Sequence, residues 1–160
     1  MTSIALPVPH APYSGSLSRA LTDLVAPSWS GATSASTSFS LDLSRMETHS
    51  ALVEIEQEAR EPDWDGYGAS PVYPETVALA RSLLSMLPSS LPAPEVSASP
   101  LGEVSFHWRS GPGRVVSVAV SATGRLTFAC LNGGDRLYGA ENLSDELPQA
   151  IAIALRRIVA

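Results

Sequence analysis

Two aspartates spaced two residues apart, Asp63 and Asp65, have the pattern in this chain that comes nearest to a metal site. They match the first two ligands of an EF-hand calcium loop. That loop also needs an oxygen ligand at its fifth position and a bidentate glutamate at its twelfth. Here those positions hold Tyr67 and Pro74. Because two of the essential oxygens are missing, we expect neither a calcium site nor any other metal.

The same loop has the composition of a structural turn. Trp64 is large enough to fill the core between helices and sheet, and Asp65 can turn the chain by accepting bonds from nearby backbone. Gly66 and Gly68 can adopt dihedral angles that other residues resist. We therefore predict a structural loop built on Trp64, Gly66 and Gly68, with Tyr67 either in the core or displayed.

A cysteine and a histidine on nearby predicted strands, Cys130 and His107, are the candidates for a nucleophile and its base. Side-chain alternation places Cys130 on the inward face with Phe128, and His107 on the outward face. The other histidines, His10 and His49, lie in distant segments. No nucleotide-binding loop or zinc-protease motif is present. We predict no catalytic residue and no cofactor.

Three helices are predicted from apolar residues at helical spacing. The first runs from about Arg45 to Arg60, where Pro62 follows, and the second starts at Pro74 and ends before Pro88. The third spans about Asp145–Val159 with Ser144 as its cap.

The strands are predicted from alternation and from glycine-containing turns, over Glu103–Arg109, Arg114–Ser121, Arg125–Leu131 and Arg136–Tyr138, with Glu95–Ala98 as a fifth at the edge. Links this short favour antiparallel pairing. The sequence therefore predicts an α+β fold: a four- to five-stranded antiparallel meander packed on one face by about three helices.

The chain divides by composition into two parts. Residues 1–42 are rich in Ser, Thr, Ala and Pro, and such a segment buries too little apolar surface to offset its ordering entropy. We expect a disordered arm there, followed by a single α+β domain over residues 43–160.

Acidic residues are concentrated around the first helix and its following loop. The chain has a net charge of −6, and residues 42–75 hold nine acids against two arginines. The residues proposed to bind a basic partner surface are Glu54, Glu58, Glu61, Asp63, Asp65 and Tyr67. Net negative charge disfavours non-specific binding to nucleic acid.

The outward sheet face is a second candidate surface, because alternation gives it His107, Arg109, Arg125, Arg136 and Tyr138. It lacks the paired aromatics with which an RNA-recognition sheet stacks bases. An acidic partner is therefore easier to defend there than nucleic acid.

The loop also carries a resemblance. The run from Trp64 to Pro71 reads WDGYGASP, a helix ending in Leu-Pro follows, and Gly102 precedes a strand containing Phe106 and Trp108. In these features residues 62–140 resemble a group of small uncharacterised bacterial proteins that share a WDGxGAxP segment. The resemblance implies a common fold boundary and a structural role for the loop. It implies no activity.

Three functions stay open at this point. The first is a non-enzymatic protein-interaction module, such as an immunity, antitoxin or anti-defence factor. The second is a small ligand-binding domain or enzyme with a pocket near the Trp64 loop. The third is a nucleic-acid-binding accessory protein that uses the arginine-bearing sheet face. No stretch approaches the ~18 apolar residues of a membrane span, and the N-terminus lacks a signal-peptide pattern. We expect no membrane association and a cytoplasmic location.

Overall fold

The computed structural model describes the backbone of residues 35–159 and the side chains of residues 43–158. In this part of the chain the elements follow the order α1 (Ala35–Glu58), α2 (Pro74–Met86), β1 (Glu95–Ala98), β2 (Val104–Gly111), β3 (Arg114–Val120), β4 (Arg125–Asn132), β5 (Asp135–Asn142) and α3 (Gln149–Val159). The predicted α+β architecture is confirmed, including the fifth strand at the edge.

The five strands form one antiparallel sheet in the order β1-β2-β3-β4-β5. Short turns containing a glycine with positive φ, among them Gly113, Gly124 and Gly133, reverse the chain between neighbouring strands. Each strand therefore pairs with the next one along the chain, as a meander requires.

The core lies between the sheet and the helices. The inner face of the sheet carries β-branched and aromatic side chains from β2, β3 and β4, and α3 packs across these three strands. Phe106 and Leu126 from the sheet and Leu83, Ile151 and Leu155 from the helices are among the largest fully buried side chains. The opposite, outer face has no helix packed on it among the described elements.

Two helix boundaries differ from those predicted. α1 begins at Ala35 rather than near Arg45, so it includes the last eight residues of the predicted arm. The rest of that arm, residues 1–34, lies outside the described residues. α3 begins at Gln149, because the first helical bond runs from the Ala152 N–H to the Pro148 carbonyl at 3.0 Å. Ser144 does not cap it: its hydroxyl donates to the Glu146 carbonyl at 3.0 Å.

Candidate functional site

α1 is held on the domain through one side of its surface. Leu52 is fully buried there, and the buried Thr48 hydroxyl lies 3.0 Å from the Ser44 carbonyl and 3.3 Å from that of Pro94. Arg45 donates to the Pro88 carbonyl at 2.8 Å, just past the end of α2. These contacts fix which side of α1 faces away from the core.

One glutamate of the acidic segment is already paired. Glu56 accepts from Arg81 of α2 at 2.7 Å, and both side chains are about two-fifths exposed (37% and 40%). An ion pair at this exposure stabilises little on its own. It does show that Glu56 lies on the side of α1 that faces α2. Glu54 and Glu58 are each two residues away, about 200° around the helix, and so lie on a different side.

The side of α1 opposite Leu52 combines charge with apolar surface. Three exposed glutamates lie beside three exposed apolar side chains, and at 3.6 residues per turn the six fall within about 140° of the helix circumference. We call this set the α1 outward face; it consists of Leu43, Met46, Glu47, Val53, Glu54 and Glu58. None of its glutamates has an ion pair with another described residue.

The apolar members of this face were missing from the sequence prediction. Leu43 is 46% exposed, Met46 66% and Val53 44%. The sequence indicates this apolar group through the seven-residue spacing of Met46 and Val53, which places both residues on one side of the helix. That side is different from the stripe that contains Leu52. Without a known position for the core, apolar residues on two sides of a helix give no indication of which side is buried.

The two aspartates of the Trp64 loop bond to the loop itself. One Asp63 carboxylate oxygen accepts from the Gly68 N–H at 2.6 Å, and one Asp65 oxygen accepts from the N–H groups of Tyr67 and Ala69 at 2.8 and 3.1 Å. Asp63 also takes a left-handed conformation with φ of 64°. These acids therefore shape the loop, and the more freely displayed acid of this segment is Glu61.

Trp64 lies at the margin of the core rather than inside it, contrary to our expectation. Its ring is partly buried against the hydrophobic cluster, and its indole N–H donates to the Ser70 carbonyl at 3.0 Å. That bond closes the loop across the two glycines, which have φ of 74° (Gly66) and 87° (Gly68). Tyr67, between them, is displayed with 82% of its surface exposed.

The C-terminal end of the loop is anchored to two neighbouring segments. The Val72 N–H donates to the Ala59 carbonyl at 2.8 Å, which ties the loop exit to the end of α1. The Ser70 N–H donates to the Pro100 carbonyl at 2.9 Å in the turn before β2. Glu61 and Tyr67 are thus carried on a braced loop that continues from α1.

The outer sheet face contains all five residues predicted for it. Strand register aligns His107, Ser117, Ala129 and Tyr138 in one row across four strands. Arg109 and Arg136 occupy the next row and are three strand spacings apart, roughly 14 Å. Arg125 lies at the far end of β4, opposite Asn142.

The arginines of this face are therefore spread over its corners, with small side chains such as Ser117 and Ala129 between them. His107 Nε2 lies 3.3 Å from the Ser97 hydroxyl on β1. This arrangement offers isolated charges rather than a basic patch.

Cys130 and His107 lie on opposite faces of the sheet, as the alternation predicts. The Cys130 thiol is buried and lies 3.8 Å from the Ala154 carbonyl of α3. Burial raises the pKa of this thiol, and the nearby positive charge of Arg157 offsets part of that effect. A buried thiol with a raised pKa is a poor nucleophile.

Among the described side chains, residues 43–158, no group of three or more His, Cys, Asp or Glu is placed to hold a metal ion. Two surface cavities of about 520 and 560 Å³ border α3, near Leu91 and Leu155 and near Pro148 and Ile153. Neither is lined by the Trp64 loop. Of the described helices, none has the length and apolarity to cross a membrane.

No protein-family model, curated protein or solved structure matches this chain.

Proposed function

We propose that this protein is a non-enzymatic interaction module that binds a basic surface of another protein, in the manner of an immunity, antitoxin or anti-defence factor. The binding surface is the α1 outward face together with Glu61 and Tyr67. The observation that carries the proposal is the juxtaposition of three exposed apolar side chains and three exposed glutamates on one helix face.

The apolar part supplies the affinity in this proposal. Single exposed apolar side chains are common, but Leu43, Met46 and Val53 share one face and are spaced as anchors for a groove or a second helix. Met adapts its shape to irregular partner surfaces. Burying these groups against a partner removes apolar area from water.

The acidic part selects the partner. Glu54 and Glu58 are four residues apart on the helix, a like-charge spacing that is mildly destabilising for the helix itself. A basic partner relieves that repulsion, whereas an acidic one adds to it. Complementary charge at the rim of an interface mainly raises the association rate and excludes wrong partners.

The rigidity of the surface supports the same reading. Arg45 and Thr48 fix α1 against the segment after α2, and the bonds of Ser70 and Val72 brace the Trp64 loop. A preorganised surface loses less conformational entropy on binding than a mobile one.

The experiment is a comparative capture with three immobilised proteins from an extract of the native host. The wild type is compared with an apolar variant, Met46→Gln with Val53→Gln, and with a control variant, Thr127→Gln with Ala129→Gln, which adds the same side chain at two exposed positions of β4. We expect a basic protein to bind the wild type and the control and to be lost from the apolar variant.

Equal recovery of that protein on all three would contradict the proposal, since it would place the contact elsewhere. The melting temperatures of the three proteins must agree, because Met46 and Val53 are exposed and their replacement should leave the fold intact.

A further inference from the structure

The two edges of the sheet are protected to different degrees. β1 has only four residues, α1 packs against it, and Pro94 and Pro100 flank it. β5 has eight residues and no proline, and no described element other than β4 packs extensively against it. A long edge strand without such protection is a template for pairing with another strand.

The hydrogen bonds of the sheet determine which groups of β5 are open. The Leu143 N–H donates to the Gly124 carbonyl at 2.8 Å, at the end of the β4–β5 ladder. Because bonding residues alternate along an antiparallel strand, the odd-numbered residues of β5 bond to β4. The backbone N–H and C=O groups of Arg136, Tyr138, Ala140 and Asn142 therefore point away from the sheet.

We propose that this edge pairs with β5 of a second copy of the chain, antiparallel and centred on Gly139, to give one continuous ten-stranded sheet. In this register Tyr138 lies opposite Ala140 of the second copy, and Arg136 lies opposite Asn142 of the second copy. The four pairs of edge-facing residues can exchange about eight backbone hydrogen bonds.

The side chains of β5 fit their own copy in this register. The large Tyr138, 80% exposed, meets the small Ala140, and no like charges lie directly opposite one another. Gly139 stands at the two-fold axis, where opposing chains approach most closely. Its side-chain position is filled by the Phe128 ring, 3.0 Å from where a β-carbon would be.

The closest like charges are diagonal neighbours. Glu141 of one copy lies diagonal to Asp135 of the other, at a separation of roughly 7–8 Å. Salt screens a repulsion between exposed charges at this distance. The dimer is therefore stronger at higher ionic strength, whereas capture of a basic partner by the α1 outward face weakens under the same conditions.

The test is the mass of the purified full chain by sedimentation, from about 1 to 200 µM, for wild type, Ala140→Pro and Ala140→Ser. The Ala140 N–H faces the open edge, so proline at this position removes no bond to β4. We expect wild type and Ala140→Ser to dimerise with rising concentration. Ala140→Pro should remain monomeric and should have the melting temperature of the dilute, monomeric wild type.

Amide exchange of the wild type gives a second readout that needs no variant. At high concentration the N–H groups of Tyr138, Ala140 and Asn142 should become protected, while those of Leu137 and Glu141 are protected at every concentration. A wild-type chain that stays monomeric throughout would overturn the proposal. So would exchange at Tyr138, Ala140 and Asn142 that does not depend on concentration. Neither result bears on the α1 outward face.

Discussion

A β-carbon placed on Gly102 would lie 2.6 Å from the carbonyl oxygen of Pro71. This approach joins the turn between β1 and β2 to the end of the Trp64 loop, and only a residue without a side chain permits it. Gly102 also has φ of 77°, in the left-handed region. The contact explains physically why a glycine before β2 accompanies the WDGYGASP run in this chain.

Replacement of this glycine should therefore be costly. We expect Gly102→Ala to lower the free energy of unfolding by about 2 kcal/mol or more, from left-handed strain plus a backbone clash that cannot relax cheaply. Gly66→Ala is the matched control, since Gly66 has nearly the same φ, 74°, but open space around its β-carbon position. It should lose only about 1 kcal/mol. Equal losses in urea unfolding would show that the Pro71 contact contributes nothing.

Trp64 should contribute less than a core tryptophan. Its ring is partly buried, so we expect Trp64→Ala to cost about 2 kcal/mol, below the ~3–5 kcal/mol of a fully buried aromatic. Trp64→Phe keeps most of the ring and removes the donor to the Ser70 carbonyl, at a cost of about 1 kcal/mol or less. Chemical unfolding of the two variants measures both values. A loss of about 4 kcal/mol or more in the free energy of unfolding of the alanine variant would show that Trp64 is a fully buried core residue.

Arg114 of β3 should stabilise the C-terminal end of α3. Its guanidinium donates to the Arg157 and Ile158 carbonyls at 3.0 and 3.2 Å. Cations and donors are favourable at that end of a helix, whereas the buried Nε of Arg114 has no hydrogen-bond partner and reduces the gain. We expect Arg114→Met to cost about 1 kcal/mol.

The matched control is Arg125→Met, at an exposed position of the outer sheet face. It should change the free energy of unfolding by less than about 0.5 kcal/mol. If the two substitutions have the same effect in thermal unfolding, the bonds from Arg114 to α3 are not stabilising.

Cys130 should react slowly with thiol reagents in the folded protein. Burial blocks access and raises the pKa of the thiol, so at pH 8 less thiolate is present than in the unfolded chain. Reaction with a disulfide reagent should be slow in buffer and fast in denaturant. A folded-state rate equal to the unfolded one would place Cys130 at the surface.

The sheet was predictable because its strands obey simple alternation. Val104, Phe106 and Trp108 fall on one face whatever the partners of β2 are, and glycine-containing turns limit the links to antiparallel ones. The start of α1 was not predictable. Its first ten residues are rich in Ser and Thr, which have weak helix propensity, so the sequence pattern favours an irregular segment there.

Of the α1 outward face, only Glu54 and Glu58 were predicted as binding residues. Glutamates such as Glu54 are visible in a sequence as charge, but the exposure of Met46 and Val53 depends on which side of α1 meets the sheet. The roles of Asp63 and Asp65 also depend on three-dimensional closure. Their carboxylates serve backbone N–H groups of a loop whose path is set by contacts with the end of α1 and the turn before β2.

The most direct test of the α1 outward face is the association rate with the captured basic partner, measured by stopped-flow at low and high salt. The wild type is compared with Glu54→Arg, Glu58→Arg and Glu61→Arg combined, and with a control that reverses Glu95, Asp145 and Glu146, which changes net charge equally. We predict that the first variant associates about tenfold or more slowly at low salt, and that the difference shrinks as salt rises. Two results would contradict a binding role for this surface: a first variant that associates at the wild-type rate at low salt, or a control that associates as slowly as the first variant.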